Sequence, residues 1–250
     1  MNLAVCIKRV PDMELRFAIA PDRKSLDPAG LKYDMSDFDG YALEVALRLV
    51  EKEGAGEVTL ISIGPDGVQE TLRKGLAMGA TRAVQLKADE VPFDGFSVAC
   101  ALAEELKGGS YDLVLFGRTA TDTAAGTVGP MVAELLGLPC VTAISQLDVA
   151  GGRGTARRDL EGAAETVQFP LPAVLTIDEG IARARLATLK GIMAAKKKPL
   201  EVRPAALGDV RLTVETMALP AERSGPRFMG EGADAVPELV QRLRTEAKVL

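Results

Sequence analysis

The chain has 250 residues, 47% of them hydrophobic and 26% charged; this is enough apolar sequence for one large α/β domain with an appendage, and it excludes a disordered chain. The formal net charge is −5 and the cations are spread along the sequence, which argues against binding of nucleic acid. Histidine is absent and the 3 cysteines stand far apart, so a metal centre, a disulfide framework and histidine-based acid–base catalysis are disfavoured.

The N-terminal apolar run ends at Lys8, which makes it too short for a signal peptide, and it lacks the basic start that such peptides have. No uncharged stretch reaches membrane-spanning length. We therefore expect a soluble, cytoplasmic protein without membrane insertion.

Short apolar runs alternate with stretches whose apolar residues recur every three or four positions. The runs predict buried strands at residues 3–7, 58–62, 82–86, 113–116, 141–144 and 172–177. The periodic stretches predict helices at residues 41–50, 68–78 and 96–106. This alternation is typical of an α/β fold with a doubly wound, mostly parallel sheet that helices cover on both faces.

Two segments depart from this alternation. Residues 146–169 surround a glycine-rich turn and predict a small antiparallel excursion from the sheet. From about residue 204 to residue 250, proline, glycine and charge become frequent, and only residues 235–243 have a helical pattern. Such an extended C-terminal arm buries little surface by itself, so we expect it to lie against another protein.

The common nucleotide and hydrolase motifs are missing. Lys8-Arg-Val-Pro-Asp12 follows the first strand where a dinucleotide-binding sheet has G-x-G-x-x-G, and no G-x-x-x-x-G-K-[ST] or G-x-S-x-G segment occurs. These absences argue against the usual oxidoreductase, kinase-like and hydrolase functions of a parallel sheet.

Four loops follow predicted strands or precede helices at one edge of the sheet, at residues 8–12, 36–39, 63–67 and 117–129. In the last loop, Asp122 or Thr123 is the expected N-cap of a helix whose free amides would attract an anion. Small side chains would let a nucleotide reach this backbone; they are Thr119, Ala120, Thr121, Ala124, Ala125 and Gly126. Small residues also serve close helix–sheet packing, but four loops at one edge favour a ligand.

The order of four segments resembles the β subunit of electron-transfer flavoproteins. They are VCIKRVPD at residues 5–12, ISIGPDGVQETLRKGLAMGATRAVQL at 61–86, GRTATDTAAGTVGPMVAELLGLP at 117–139 and LPAVLTIDEGIARARLATLKGIMAAKKKPLE at 171–201. The resemblance extends to about residue 203, and it implies that residues 1–203 form an adenine-nucleotide-binding, Rossmann-like domain. Only the arm at residues 204–250 is poorly matched.

The resemblance implies a bacterial electron carrier with no catalytic turnover of its own. Its partner would be an α subunit that holds most of the FAD site and against which the C-terminal arm packs. Electrons would come from an acyl-CoA dehydrogenase or another flavin dehydrogenase and pass to a quinone reductase or another acceptor. In ordinary members the β subunit holds a structural AMP, and in electron-bifurcating members a second FAD takes its place.

Carried over by position, the resemblance also implies the residues that contact AMP. They are Cys6, through its backbone, and Ser36, Asp37, Phe38, Asp39, Ile63, Gly117, Thr119, Ala120, Thr121, Asp122, Thr123, Ala124, Ala125, Gly126, Thr127 and Val128. The phosphate would lie near residues 125–128. Many members have Asn-Pro-Phe in place of Ser36-Asp-Phe38, and the ending Val128-Gly-Pro130 resembles bifurcating members. Those members carry Asp-Gly-Asp where this chain has Asp122-Thr-Ala124, so we expect AMP and keep the second FAD as the alternative.

Residues 176–189 resemble the recognition loop of the family, in which one aliphatic side chain enters a pocket of the dehydrogenase. The counterpart here is Ile181, and ordinary core packing after a strand is the alternative role for this residue. The usual Asn-Glu-Pro-Arg-Tyr is Ala182-Arg-Ala-Arg-Leu186 here, which implies an unusual partner.

Two other functions remain open at this stage. A stand-alone nucleotide-binding module of the universal-stress type shares the broad architecture, and it would form a homodimer that binds ATP. An adenylate-forming ligase is disfavoured because the chain has no Ser-Gly-Gly-x-Asp-Ser loop.

Overall fold

The computed structural model describes residues 1–221 and 225–250, which form two units, Met1–Met217 and Ala218–Leu250. No helix within these described ranges is both long and apolar enough to cross a membrane.

The first unit contains eleven strands and five helices. The strands are β1 (Asn2–Cys6), β2 (Arg9–Pro11), β3 (Tyr33–Met35), β4 (Glu57–Gly64), β5 (Arg82–Lys87), β6 (Leu113–Gly117), β7 (Cys140–Ala150), β8 (Arg153–Leu160), β9 (Ala163–Pro170), β10 (Ala173–Ile177) and β11 (Leu200–Pro204). The helices are α1 (Asp37–Glu53), α2 (Val68–Met78), α3 (Gly95–Lys107), α4 (Val128–Leu136) and α5 (Leu189–Ala195).

Nine strands form one sheet in the order β11-β5-β4-β1-β6-β10-β7-β8-β9, and β2 pairs with β3 in a separate antiparallel ribbon. All neighbours from β11 to β7 run parallel, whereas β8 and β9 add antiparallel strands at one edge. The predicted α/β fold with a mostly parallel, doubly wound sheet is thus confirmed.

The core has two apolar layers, one on each face of this sheet. Successive residues of β1 point to opposite faces, so Leu3 and Val5 join the layer under α1, α2 and α5, while Ala4 and Cys6 join the layer under α3 and α4. Because both faces are covered, the central strands are apolar almost throughout.

The antiparallel pairs span residues 144–170, close to the predicted excursion at residues 146–169. Residues 140–150 form one long strand whose first part pairs with β10 and whose second part pairs with β8. The predicted strand at residues 141–144 and the start of the predicted excursion at residue 146 therefore belong to a single element.

Two cations join helices α2 and α5, because each of them binds backbone carbonyl groups at the C-terminal end of the other helix. The Arg73 guanidinium of α2 donates to the carbonyls of Ala195 and Lys198 at 2.6 and 2.8 Å, while Lys198 Nζ donates to those of Leu76 and Ala80 at 2.9 and 2.6 Å. Burial lowers the pKa of Lys198. Each cation complements the negative end of the opposite helix.

The second unit has little core of its own. Its described residues contain one α-helix, α6 (Val236–Arg242), and none of them is buried. Phe228, for example, is 90% exposed. The predicted helix at residues 235–243 corresponds closely to α6.

Candidate functional site

The candidate site lies at the point where the strand order of the sheet reverses. From β1 the chain adds β4 and β5 on one side, and α3 then carries it back to β6 on the other side of β1. Ligands of open α/β sheets bind at this kind of point, beyond the carboxyl ends of the two diverging strands. Here those ends are Cys6 and Gly117.

Asp39 connects these two strand ends. Its carboxylate is buried and accepts hydrogen bonds from the backbone amides of Lys8 at 2.7 Å and Gly117 at 3.0 Å. Position 117 has no room for a side chain, because a Cβ there would lie 2.5 Å from Asp39 Oδ1 and 2.7 Å from the backbone of Phe38. The start of α1 therefore lies directly against the end of β6.

Ser36 fixes the loop that follows β6. Its hydroxyl oxygen accepts a hydrogen bond from the Thr121 amide at 3.3 Å, and its own amide donates to the Lys8 carbonyl at 3.1 Å. Lys8 Nζ forms an ion pair with Asp122 at 2.7 Å. The start of the predicted loop 8–12, the predicted loop 36–39 and the first part of the predicted loop 117–129 thus meet, although they lie far apart in the sequence.

The backbone is exposed in the second half of this loop. Ala124 and Gly126 have positive φ angles of 50° and 63°, and the four residues 124–127 are exposed. Helix α4 begins only at Val128, after Thr127, and no side chain of the described residues caps it. The N-cap prediction for Asp122 or Thr123 is therefore wrong, because Asp122 pairs with Lys8 and residues 121–123 form a separate turn.

The start of α4 has the properties of an anion site. Its first helical hydrogen bond runs from Met131 to Thr127, so the preceding amides of Val128 and Gly129 lie at the positive end of the helix with no bond inside it. A Cβ at position 129 would lie 2.9 Å from Thr176 Cγ2 and 3.3 Å from the Phe116 ring, so this turn is closely packed on β6 and β10.

In this region, the hydroxyl group of Thr119 lacks a hydrogen bond to the part of the chain that the structure describes. Its hydroxyl oxygen is buried and has no hydrogen-bond partner among the described residues. A buried hydroxyl without a partner costs free energy, and a polar group of a bound molecule would remove that cost. Small side chains, free amides and this hydroxyl together fit the phosphate and ribose of a nucleotide.

The chain was compared with known proteins. The family model described as the electron transfer flavoprotein domain matches residues 25–207. The electron transfer flavoprotein subunit beta of Bacillus subtilis (strain 168) is 37% identical, and those of Bradyrhizobium diazoefficiens and Homo sapiens are 36% and 35% identical. Each match covers 100% of this chain and at least 99% of the relative.

The chain belongs to the electron transfer flavoprotein β-subunit family. The resemblance noted in the sequence is thereby confirmed for the family, and flavin is the cofactor class of that family. The nucleotide-contact residues carried over from it remain predictions.

The remaining predicted contact residues lie near the same strand ends. Cys6 is buried at the end of β1, and burial raises the pKa of its thiol. Ile63 is half-buried near the end of β4, Asp37 is exposed at the start of α1, and Phe38 packs edge to face on Tyr41. The predicted contact through the backbone of Cys6 therefore remains a prediction.

A second loop adjoins the site. The Arg118 amide donates to the Ile177 carbonyl at 2.8 Å, and its guanidinium pairs with Asp178 at 3.0 Å. The predicted recognition loop starts here. Ile181 in this loop is half-buried and packs against the core, which is the alternative role that the sequence left open.

The burial of Asp39 predicts a pH dependence of stability. Burial raises the pKa of Asp39 from 3.8 to about 7, despite the bonds from the two amides. Between these pH values Asp39 is protonated in the native state, whereas the unfolded chain has lost this proton. The contribution of Asp39 to the free energy of unfolding is therefore full below pH 3.8 and is lost as pH rises through 7.

We therefore expect wild type to lose up to about 1.4 kcal/mol of unfolding free energy per pH unit across this range, relative to D39N. Urea unfolding of both proteins in the same buffers checks this result. Parallel pH profiles would contradict it.

Proposed function

We propose that this chain is the β subunit of a heterodimeric electron transfer flavoprotein and that it binds AMP as a structural cofactor. The observation that carries the family role is the full-length similarity to relatives named electron transfer flavoprotein subunit beta. A chain of this kind pairs with an α subunit and acts as a carrier, with no catalytic turnover by itself.

The proposed electron path runs through the FAD of the complex, which the α subunit holds for the most part. The donor is an acyl-CoA dehydrogenase or another flavin dehydrogenase, and the acceptor is a quinone reductase or another acceptor. We also propose that the predicted arm at residues 204–250, most of which is the second unit Ala218–Leu250, packs on the α subunit. Its apolar side chains, such as Phe228 and Leu239, support this role because burying them requires another surface.

The proposed AMP site is the one described above. The free amides at the start of α4 would hold the phosphate, and residues 119–127 would surround the rest of the nucleotide. Asp39 and Ser36 would act indirectly, since they hold the strand ends and the loop in place. AMP supplies no redox chemistry in this role.

A second FAD is the alternative occupant, and the segment Val128-Gly-Pro130 favours it because it resembles bifurcating members. Co-expression with the α subunit from the same organism, followed by denaturation and chromatography, separates the two cases. We expect one FAD and one AMP per heterodimer. Two flavins without AMP would contradict the AMP proposal and favour the second FAD. A homodimer with ATP and no flavin would contradict the proposed role as an electron transfer flavoprotein subunit.

Thr119→Val tests the site within the same complex. The hydroxyl has no partner in the described protein, so its removal should leave the unfolding temperature of the nucleotide-free protein unchanged or slightly higher. If the hydroxyl bonds to the nucleotide, AMP affinity should fall by about fivefold to tenfold. Calorimetric titration of AMP measures the affinity.

Thr245→Val is the matched control, because its hydroxyl bonds to the Gln241 carbonyl in the second unit. Unchanged AMP affinity in the Thr119→Val protein would remove Thr119 from the site.

A further inference from the structure

Residues 205–217 run as a strap across the first unit. The described residues of this strap form neither helix nor strand, yet the strap is bound to the first unit at both ends. Where it starts, the Ala205 amide donates to the Lys87 carbonyl at 3.0 Å. Where it ends, the Met217 amide donates to the Arg23 carbonyl at 2.6 Å. The first part of the predicted arm therefore belongs to the first unit.

The start of α3 holds the middle of the strap. Asp94 is buried, and its Oδ1 accepts the Phe96 amide at 2.8 Å as an ordinary N-cap. Its Oδ2 accepts the amides of Arg211 and Leu212 at 2.6 and 3.0 Å, although these residues lie 117 and 118 positions further along the chain. The amide of Arg211, and after it that of Phe96, lowers the pKa of this carboxyl group. Capping needs only one oxygen, and we call the two bonds of the other oxygen the clasp.

Further contacts hold the same part of the strap on α3. The buried Ser97 hydroxyl donates to the Gly208 carbonyl at 2.6 Å, and the Gly208 amide donates to the Ser97 carbonyl at 3.1 Å. A Cβ at position 208 would lie 2.7 Å from Cys100 Sγ, so glycine lets the strap come this close. The Arg211 guanidinium lies 4.3 Å from the centre of the Phe96 ring. The strap thus has a defined position although it lacks regular secondary structure.

We propose that Asp94 is a positioning residue for assembly: its clasp keeps the strap on the first unit, so that the rest of the arm starts at a fixed point and holds the α subunit tightly. The inference rests on the proposed packing of the arm on the α subunit. It deepens that proposal, since it names the group that sets the free length of the arm. Asp94 acts through the strap and needs no contact of its own with the α subunit.

The physical reason is the length of free chain between two elements that bind the same partner. With the clasp closed, free chain can begin only after Met217. With the clasp open, the strap adds a free segment that spans roughly 20 Å on average. A longer free segment lowers the effective concentration of the arm at its binding surface, and the strap must also be ordered again whenever the arm binds. Loss of the clasp should therefore speed dissociation of the heterodimer.

The first test is Asp94→Ser in the heterodimer. Serine is a good N-cap, so this variant keeps the start of α3, but it has no second oxygen for the strap. Capture of the released α subunit by an excess of tagged β chain measures the dissociation rate. This rate should rise about fivefold to twentyfold, and amide hydrogen exchange at residues 208–212 should accelerate. The purified heterodimer should keep its full flavin content.

Asp112→Ser is the matched control. The Asp112 carboxylate also accepts an amide bond from a distant residue, Asn2, at 2.7 Å, and this bond does not involve the strap. The control loses the same charge and a comparable bond. Its dissociation rate should therefore stay within about twofold of the wild-type rate.

The second test lengthens the free chain while the clasp stays closed. A flexible insertion of about 12 glycine and serine residues between Met217 and Ala218 should speed dissociation about as much as Asp94→Ser does. The two changes together should speed dissociation by less than the product of their separate effects, because a segment that is already long loses little when it is lengthened further.

An unchanged dissociation rate in Asp94→Ser, with faster exchange at residues 208–212, would overturn the inference, since the clasp would then stabilise the fold alone. Unchanged exchange would overturn it as well, because other contacts would then hold the strap. An insertion that leaves the rate unchanged would exclude the length of free chain as the cause. The proposed function fails separately, if the wild-type chain forms no heterodimer with the α subunit from the same organism.

Discussion

Gly117→Ala should destabilise the protein by about 2 to 3 kcal/mol and abolish retention of the nucleotide. The new Cβ would lie 2.5 Å from Asp39 Oδ1 and 2.7 Å from Phe38, so α1 must move away from the end of β6. That movement breaks the bond from the Gly117 amide and shifts Ser36, which holds the following loop at Thr121. Urea unfolding and nucleotide analysis of the purified heterodimer measure the two effects.

Gly40→Ala is the matched control for this substitution. Gly40 lies in the first turn of α1, directly after Asp39. A Cβ at position 40 would meet only the Ala184 methyl, at an ordinary 3.5 Å. Because alanine favours helix, this variant should be as stable as wild type or up to about 1 kcal/mol more stable. Equal effects of the two substitutions would contradict the close contact between α1 and β6.

Gly191→Ala should loosen α5 from α2, with a stability loss of about 2 to 3 kcal/mol. Helix propensity alone predicts a gain of about 1 kcal/mol at this position, so the expected sign is opposite to that of an isolated helix. The reason is that a Cβ at 191 would overlap the Ala77 carbonyl oxygen. Separation of the helices also strains the bonds of Arg73 and Lys198 to the opposite carbonyls.

Urea unfolding measures this loss, and amide hydrogen exchange of residues 189–195 should accelerate with it. The control is Lys190→Ala, since Lys190 is exposed on the neighbouring position of the same helix. A stabilised Gly191→Ala protein would contradict the close packing of α2 and α5.

The parallel sheet could be predicted because its signals are local. The strand at residues 3–7 is a continuous apolar run that β1 matches within one residue, and the helix at 68–78 has the bounds of α2. Short or exposed elements gave no such signal. Strand β11 and helix α5 have few buried residues, so their sequences lack the periodic pattern on which the prediction depends.

The interior of the candidate site depends on contacts that no local pattern encodes. Lys8 and Asp122 are 114 residues apart, and an isolated lysine after a strand is ordinarily solvated, so the sequence gives no sign of their ion pair. The N-cap prediction failed for the same reason, because this ion pair engages Asp122. Likewise, no local pattern indicates that Lys198, which follows α5, binds carbonyl groups at the end of α2.

The attachment of α1 to the end of β6 also matters for protein engineering. The candidate site is built from two pieces of chain, since Asp39 and the Gly117 amide that it binds are 78 residues apart. A graft of residues 117–127 alone onto another scaffold would leave its backbone without the carboxylate and the serine that shape it. The smallest transplantable module is therefore discontinuous, and it must include the segment from Ser36 to Asp39.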